Sequence, residues 1–307
     1  MKLVTTSVVR GSHQGESHGG VYLIDLDARE VKQALDWNRA DIDWQGRGWD
    51  RGLRGIAFDG DTVYIAASDE LFAYSPEFRR IGSWRNRYLK HCHEIAVHGR
   101  SLFLTSTGFD TILAFDLDNR QFHWAMQVQQ KEFNFKGFVF DPGADDGPLM
   151  LNKLHLNSIH CNEHGMYISG LRSGGMLHFN GKTILMSVQL PQGTHNARPF
   201  RDGVLFNDSE ANALRYSGRN TDTEDRAMPV PVYEAGDLTH VDGDTSGIAR
   251  PGFARGLCAL SDSVVAGGSS PSTISLYDLA ANRRLWSVNL TMDVRNAIHG
   301  LAVWPFE

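Results

Sequence analysis

The chain has 307 residues, of which 41% are hydrophobic and 21% charged, so it is long enough to bury a large core. Its formal net charge of −6 and the lack of a Lys/Arg cluster exclude a nucleic-acid-binding groove, because phosphate binding needs a basic footprint. No apolar run approaches membrane-spanning length and the first residues lack the apolar core of a signal peptide, so we expect a cytoplasmic protein.

Short strands separated by turn residues follow one another along the whole sequence. The N-terminal part contains three of them, KLVTTSVV, GGVYLID and EVKQALDW. Further sets follow, such as TVYIAAS, ELFAYS and RRIGSW, and then HEIAVHG, SLFLTST, TILAFDL and QFHWAMQ. These segments alternate in polarity and end at turn residues, as strands do. No amphipathic helix of convincing length competes with them, so the predicted fold class is all-β.

Six copies of a short pattern set the period of the repeat. Each copy begins with one polar residue, called here an opening residue, and in five copies an apolar strand follows nine positions later. The opening residues are Arg54 in RGIAF, His93 in HEIAV, Asn157 in NSIHC, His195 in HNARP, Arg255 in RGLCA and His299 in HGLAV. Their spacings of 39, 64, 38, 60 and 44 residues match a propeller period of roughly 40–45 residues with two insertions.

These repeats predict a single-domain, six-bladed β-propeller over residues 1–307. The three N-terminal strands lack a first strand, and HGLAVWPF at the C-terminus supplies one. Joining them in one blade closes the ring and removes the exposed edges of an open array. The predicted blades are residues 1–37 with 297–307, then 53–85, 92–128, 156–190, 194–234 and 254–290.

Long insertions follow the last strands of several blades. They comprise residues 38–53, 129–155 and 234–254, and the first blade adds the loop RGSHQGESHGG. In a propeller such connections open on the face where the inner strands begin, which is also where the opening residues lie. Sites tend to lie on loops carried by a rigid scaffold, so we expect the site at this mouth of the channel.

Histidine opens every second repeat, at His93, His195 and His299. In a closed ring the three imidazoles would converge on the axis. Three neutral imidazoles with one open position are the ligand set of a catalytic divalent transition metal, here zinc, iron or copper, one ion per chain. Such an ion polarises a substrate oxygen, while Arg54 and Arg255 could hold a substrate carboxylate beside it.

Other polar residues are candidates for supporting roles. Glu94 and Asp208 are predicted proton carriers or hydrogen-bond partners of the metal ligands, although alternation along a strand can turn Glu94 away from the axis. Asn157 is a predicted hydrogen-bond donor to the substrate. Further candidates near the mouth are His91, His155 and His160, the loop residues His13, Glu16 and His18, and Asp242 and Asp244 for calcium. Cys92, Cys161 and Cys258 indicate neither a disulfide framework nor a zinc site.

The pattern as a whole favours a metal-dependent lyase or hydrolase that acts on a small substrate carrying a carboxylate or hydroxyl group. Iron or copper redox chemistry is one alternative, because histidine ligands do not choose among these metals. A second is a non-catalytic propeller that binds a partner protein or peptide over the insertion-rich face. A third is a binding module in which Arg54 and Arg255 hold a small organic anion without a metal.

Two resemblances bear on this hypothesis. The segments HEIAVHGRSLFLTST, HLNSIH, THNARPFRDGVLFNDS and ARGLCALSDSVVAGGSS, from roughly His93 to Pro271, resemble a bacterial family of six-bladed propellers of unknown function. The alternating histidines also look like the arrangement in peptidyl-α-hydroxyglycine amidating lyase, a secreted, disulfide-bonded propeller whose zinc is held by three histidines. That resemblance implies zinc at His93, His195 and His299, with Arg54 or Arg255 in the arginine role and no tyrosine assigned. Fold analogy alone supplies no reaction.

Overall fold

The computed structural model describes residues 1–13, 15–37, 52–132, 134–219, 225–241 and 250–307. In these residues 25 strands form six antiparallel sheets, and the only helices are two 3₁₀ turns, Thr107–Phe109 and Ala235–Asp237. Within the same ranges no helix is long and apolar enough to cross a bilayer. The all-β, six-bladed propeller predicted from the repeats is therefore confirmed.

Each sheet forms one blade, in which the strands lie side by side in order from the ring axis outward. Blade 1 holds β1 (Lys2–Val9), β2 (Gly20–Asp25), β3 (Glu30–Asp36) and β25 (Asn296–Val303), and blade 2 holds β4 (Ile56–Asp59), β5 (Thr62–Ala67), β6 (Glu70–Tyr74) and β7 (Arg80–Arg85). Blade 3 holds β8 (Ile95–His98), β9 (Ser101–Ser106), β10 (Thr111–Asp116), β11 (Gln121–Lys131) and β12 (Asn134–Phe140). Blade 4 holds β13 (Leu156–Asn162), β14 (Gly165–Gly170), β15 (Gly175–Phe179) and β16 (Ile184–Gln189). Blade 5 holds β17 (Thr194–Phe200), β18 (Gly203–Asp208), β19 (Ala213–Gly218) and β20 (Arg226–Pro229), and blade 6 holds β21 (Leu257–Ala259), β22 (Val264–Ser269), β23 (Thr273–Asp278) and β24 (Arg283–Asn289).

The two ends of the chain close the ring in blade 1. Strand β25 pairs antiparallel with β1, from Leu3 opposite Val303 to Val9 opposite Asn296. The order of strands in this sheet is β25-β1-β2-β3, so the last strand of the chain is the innermost one. The predicted closure by strands from both termini is confirmed.

Blade 3 differs from the prediction because it has a fifth strand. Strand β12 pairs with β11 from Ala125 opposite Phe140 to Lys131 opposite Asn134, so the sheet continues beyond residue 128 into the expected insertion. β11 is eleven residues long, and its last part offers an edge on which β12 can pair. Gly137, in the middle of β12, is a poor strand former, so the sequence of this segment did not indicate a strand.

The other two predicted insertions are described only in part. Residues 38–51 and 242–249 lie outside the described residues.

Among the described residues the core consists of six apolar clusters, one between each pair of neighbouring blades. Strand β5 shows how one strand serves two of them. Val63 and Ile65 pack towards blade 1, whereas Tyr64 and Ala66 pack towards blade 3. Successive side chains of a strand point to opposite faces, so each blade buries both of its faces against its neighbours. The innermost strands of the six blades then surround the central channel.

In blades 1, 4 and 5 the pairing of the innermost strand is irregular near the opening residue. The pairing of β17 with β18 shifts between His195 and Arg198, that of β13 with β14 between Leu156 and Ser158, and that of β1 with β25 between Thr5 and Ser7. A β-bulge redirects side chains and interrupts strict alternation. The bulges therefore interrupt the strict alternation of side chains near three of the opening residues.

Candidate functional site

The opening histidines of blades 1 and 3 meet inside the ring. The ring centroids of His93 and His299 are 5.8 Å apart, although blade 2 lies between their blades. The Arg255 Nη1 donates to His299 Nε2 at 3.0 Å, and Arg54 Nη1 lies 3.5 Å from both ring nitrogens of His93. Four of the six opening residues thus form one group at the axis.

A further opening residue, His195 of blade 5, lies in the same region. Its ring lies 5.6 Å from that of Phe253, and the Arg255 guanidinium lies over the same Phe253 ring at 4.6 Å. Arg10, just beyond the end of β1, also covers this ring, at 4.8 Å. A third guanidinium, that of Arg250, lies over it at 5.0 Å, so Phe253 is an apolar surface with His195 and three guanidinium groups around it.

His155 completes the group from the approach to blade 4. Its ring centroid is 5.5 Å from that of His93, and its Nδ1 lies 3.0 Å from Asn152 Oδ1. His155 has a left-handed backbone, with φ of 56°, and its side chain is half-buried. We call His93, His155, His195, His299, Arg10, Arg54 and Arg255 the axial cluster.

His93 and His195 are held by the same arrangement of neighbours. The His93 Nδ1 contacts the carbonyl of His91 at 2.7 Å and Thr107 Oγ1 at 2.9 Å, and the Thr107 hydroxyl donates to the carbonyl of Leu156. This hydroxyl lies fourteen positions after the histidine, a spacing that recurs in blade 5.

In blade 5 the His195 Nδ1 contacts the carbonyl of Gly193 at 3.0 Å and Ser209 Oγ at 2.8 Å. The Ser209 hydroxyl donates to the carbonyl of Ala254 at 2.8 Å. Sequence reasoning missed both hydroxyls, although the shared spacing of fourteen residues was a signal that could have found them. No such signal marks Arg10 or Phe253.

Arg54 and Asn157 each bind the backbone of the next blade. Arg54 Nη1 donates to the carbonyl of Cys92 at 3.3 Å, and Asn157 Nδ2 donates to that of Thr194 at 3.0 Å. Each accepting carbonyl directly precedes the next opening residue. Asn157 thus orders neighbouring blades, and its predicted contact with a substrate stays a prediction.

The imidazoles of the cluster are neutral at physiological pH. Burial lowers the pKa of His93, His155, His195 and His299, and the Arg255 guanidinium lowers each of them further. For His155 the pKa falls to about 3. Desolvation and a nearby like charge both disfavour the protonated ring. Such imidazoles are weak proton acceptors, so they are suited to hydrogen bonding or ligation rather than to general-base work.

Glu94 faces the channel but lies in a separate network. Its Oε1 accepts from Asn196 Nδ2 at 3.1 Å and its Oε2 from the backbone N–H of Ile159 at 3.1 Å. Asn196 belongs to blade 5, two blades away, so this contact crosses the channel. Burial raises the pKa of Glu94, while the hydrogen bond from Asn196 and the charge of Arg198 act in the opposite direction.

Asp208 is engaged within its own blade. Its carboxylate accepts from Arg215 Nη1 at 3.0 Å and from the backbone N–H of Ala211 at 3.0 Å. These contacts order the turn between β18 and β19. Its role as a proton carrier stays a prediction.

The remaining candidates lie around the mouth or in the blades. In the loop of blade 1 the Glu16 carboxylate accepts from the backbone N–H of His13 at 2.8 Å, and His18 Nδ1 contacts Ser12 Oγ. The side chain of His91 is exposed, and that of His160 is half-buried on β13. All three cysteines, Cys92, Cys161 and Cys258, carry free thiols, and Asp242 and Asp244 lie outside the described residues.

Whether the cluster fits a metal ion can be judged from its donors. The described residues contain no group of three or more His, Cys, Asp or Glu side chains placed to hold a metal. Within the cluster the Arg255 guanidinium occupies Nε2 of His299, and its fixed positive charge opposes a second cation nearby. The three-histidine metal site stays a prediction, which this geometry does not favour.

The comparisons with known proteins agree with the fold and go no further. No family model matches the chain, and no curated protein matches it. A crystal structure of a protein of unknown function from Bacteroides caccae is 12% identical, with a TM-score of 0.59 and 99% of both chains covered. A chain of the nidogen/laminin complex is 12% identical, with a TM-score of 0.58, covering 98% of this chain and 97% of that one. The structure of apo AztD from Citrobacter koseri is 9% identical, with a TM-score of 0.50, covering 94% of this chain and 81% of that one.

Proposed function

We propose that this propeller binds a small organic anion, such as a carboxylate, at the axial cluster. The observation that carries the proposal is the convergence of guanidinium groups from three blades beside neutral imidazoles at one end of the channel. A guanidinium forms two parallel hydrogen bonds with a carboxylate and keeps its charge at any physiological pH. This geometry favours the binding module over a site built around a metal ion.

The local electrostatics support the same function. The charges of Arg54 and Arg255 disfavour protonation of His93 and His299. The field that destabilises a cation at this place stabilises an anion there. Burial strengthens the effect, because Arg54 is 2% exposed and Arg255 8% exposed.

Access comes from the side where His93 and His155 lie, because these two rings are only partly buried. His195 and His299 are 2% and 6% exposed and lie deeper. A ligand of a few carbon atoms would therefore meet the guanidinium groups after passing His93 and His155.

Calorimetric titration tests this function. Acetate, propionate, succinate and inorganic phosphate are titrated into the protein, and we expect at least one carboxylate to bind. Arg255→Gln should weaken that binding at least about tenfold, since it removes the paired donors and the charge. Arg100→Gln is the matched control, because Arg100 is an exposed arginine paired with Asp118 and Asp59. Equal affinities for the wild type and Arg255→Gln would contradict the proposal.

One observation favours the metal-dependent lyase or hydrolase as a second candidate. The Nδ1 atoms of His93 and His195 contact backbone carbonyls, which directs Nε2 of each ring towards the channel, as in metal-binding histidines. Metal ligation there would require Arg255 to leave His299. Elemental analysis of the purified protein should then find close to one transition metal per chain, and His195→Ala should lose it. A protein that binds carboxylates without metal would exclude this candidate.

A further inference from the structure

The hydrogen-bond partners of the cluster fix which ring nitrogen of each histidine carries the proton. A carbonyl oxygen can only accept, so His93 Nδ1, at 2.7 Å from the carbonyl of His91, is the donor. The same reasoning applies to His195 Nδ1, at 3.0 Å from the carbonyl of Gly193. Since both rings are neutral, Nε2 of each is an acceptor.

His155 has the same tautomer, by an independent contact. Its Nδ1 lies 3.0 Å from Asn152 Oδ1, which also accepts from the Arg172 guanidinium at 3.2 Å. A guanidinium has no acceptor, so this atom of Asn152 is the amide oxygen, and His155 Nδ1 must be the donor. Nε2 of His155 is therefore also an acceptor.

For His299 the contact that fixes the position of the proton is made by Nε2 rather than by Nδ1. Its Nε2 accepts from the Arg255 guanidinium at 3.0 Å, which cannot act as an acceptor. The Nε2 of His93 faces another guanidinium, that of Arg54, at the longer distance of 3.5 Å. In all four imidazoles of the axial cluster Nε2 is thus the unprotonated nitrogen, which can accept a hydrogen bond.

Among these acceptor nitrogens, Nε2 of His195 restricts the choice of ligand most. His195 is 2% exposed, and its Nε2 is a buried polar atom without a hydrogen-bond partner. A buried polar group without a hydrogen-bond partner costs about 1–3 kcal/mol, so a hydrogen-bond donor placed at this nitrogen is favoured. The ligand that satisfies it must donate a hydrogen bond.

The neighbours restrict the kind of donor. An ammonium group would be repelled by Arg54, Arg255 and Arg10, which together favour negative charge. A neutral hydroxyl satisfies the acceptor without that penalty. Because His195 and Arg255 lie around the same Phe253 ring, one small molecule can present a hydroxyl to the imidazole and a carboxylate to the guanidinium.

We infer that the ligand of the axial cluster is a small hydroxycarboxylate, whose carboxylate binds the guanidinium groups and whose hydroxyl donates to Nε2 of His195. This inference rests on the proposed function and narrows its ligand class. A site built around such an acceptor discriminates strongly against an analogue without the hydroxyl, because the buried nitrogen is then left unpaired.

Matched ligand pairs test the inference by calorimetry. The pairs are glycolate with acetate, lactate with propionate, and malate with succinate, which differ by one hydroxyl. We expect the hydroxylated member of at least one pair to bind at least about tenfold more tightly to the wild type. In His195→Phe, which keeps an aromatic ring and loses the acceptor, the affinity ratio of that pair should fall to near one. His164→Phe is the control, since the His164 side chain is 68% exposed, and should keep the wild-type ratio.

The possible outcomes separate the inference from the proposed function. Equal binding within every pair, with loss of binding in Arg255→Gln, overturns the hydroxyl inference and leaves the anion site. Failure of all six ligands to bind the wild type overturns both, as does binding of phosphate alone. If thermal melting shows that His195→Phe does not fold, His195→Leu, which also lacks the acceptor, replaces it, and a ratio unchanged from the wild type in a folded variant of this residue counts against the inference.

Discussion

At the scale of the residue, the axial cluster depends on imidazoles that stay neutral. The pKa values of His93, His155, His195 and His299 are all lowered from 6.5 by burial and by neighbouring guanidinium groups. Below about pH 6.5 the unfolded chain therefore takes up protons that the folded protein does not. The contribution to stability is complete above that pH and is lost as the pH falls towards the lowered pKa values.

This linkage gives a measurable slope. The free energy of unfolding should decrease between pH 7 and pH 5, by up to about 1.4 kcal/mol per pH unit for each such histidine at the acidic end of this range. His195→Gln should make the slope shallower by one histidine's share, because glutamine does not titrate. Urea denaturation at several pH values measures it, with His164→Gln as the exposed control. A slope identical in His195→Gln and the wild type would show that His195 is not held neutral.

Glu94 acts in the opposite sense. Burial raises its pKa from 4.5, so the folded protein binds this proton more tightly than the unfolded chain. The stabilising contribution of its protonated form is complete below pH 4.5 and is lost as the pH rises through the raised pKa. The dependence of the unfolding free energy on pH that is due to the histidines is therefore best measured at pH values above the range in which Glu94 titrates.

The sequence predicted part of this site and missed the rest for identifiable reasons. The common register of His93, His195 and His299 predicted that they approach the axis. Residues at the same register in different blades lie at the same distance from the ring axis. His155 joins them through a left-handed backbone before β13, which no repeat pattern encodes. Asp208 had the expected position at the end of a strand, but Arg215, seven residues later, pairs with its carboxylate.

At the scale of the element, the inner strands approach one another so closely that side chains are excluded at some positions. A Cβ atom at Gly300, on β25, would lie 2.3 Å from the carbonyl oxygen of Arg54 and 2.8 Å from Thr6 Oγ1. Gly300 also donates its N–H to Thr6 Oγ1 at 2.8 Å. The glycine after the opening histidine is thus required by the contact between blades 1 and 2.

Gly300→Ala should destabilise the protein by about 1–3 kcal/mol, because the added methyl group forces the backbones of two blades apart. The change is read as a lower midpoint in urea denaturation. Gly236→Ala is the matched control, since a methyl group added there would meet no atom within 4 Å and the backbone is not left-handed. An unchanged midpoint for Gly300→Ala would mean that the blades can move apart at little cost.

The fifth strand of blade 3 shows the limit of pattern reasoning at this scale. A blade period of four strands predicted an insertion after β11, and β12 occupies part of it. Its pairing depends on β11 being long enough to offer an edge, which is a property of the neighbouring strand rather than of β12 itself. Local alternation could not show this for a segment with Gly137 at its centre.

At the scale of the whole molecule, closure of the ring continues past β25 into an aromatic contact with blade 2. Trp304, 7% exposed, stacks on Phe78 with ring centroids 5.4 Å apart and meets Phe58 at 5.9 Å. Phe306 packs on Trp304 at 4.9 Å. These rings join the C-terminal segment to a blade that its own strand does not belong to.

Trp304→Ala should cost about 3–5 kcal/mol of stability, because it removes a buried aromatic side chain and leaves a cavity between blades 1 and 2. Urea denaturation followed by circular dichroism measures the loss. Leu285→Ala, at a position 45% exposed on blade 6, should change stability by less than about 0.5 kcal/mol. A loss at Trp304 as small as that at Leu285 would show that the aromatic contact does not secure the ring.

The architecture was predictable at this scale because each blade repeats the same opening residue and strand order, and because the terminal segments complement each other. Six blades and their closure follow from counting these units. The positions of residues 38–51 and 242–249 around the mouth could not be obtained in this way, since insertions do not repeat.

The position of His299 on β25 couples closure of the ring to completion of the axial cluster. The strand that pairs with β1 also carries one of the four imidazoles, so an open ring lacks both its final sheet pairing and a complete axial cluster. A ligand that binds only the closed form stabilises it by mass action, in proportion to the logarithm of its concentration above the dissociation constant. Saturating ligand should therefore oppose separation of the chain ends and protect this seam from proteases more than it protects the outer strands.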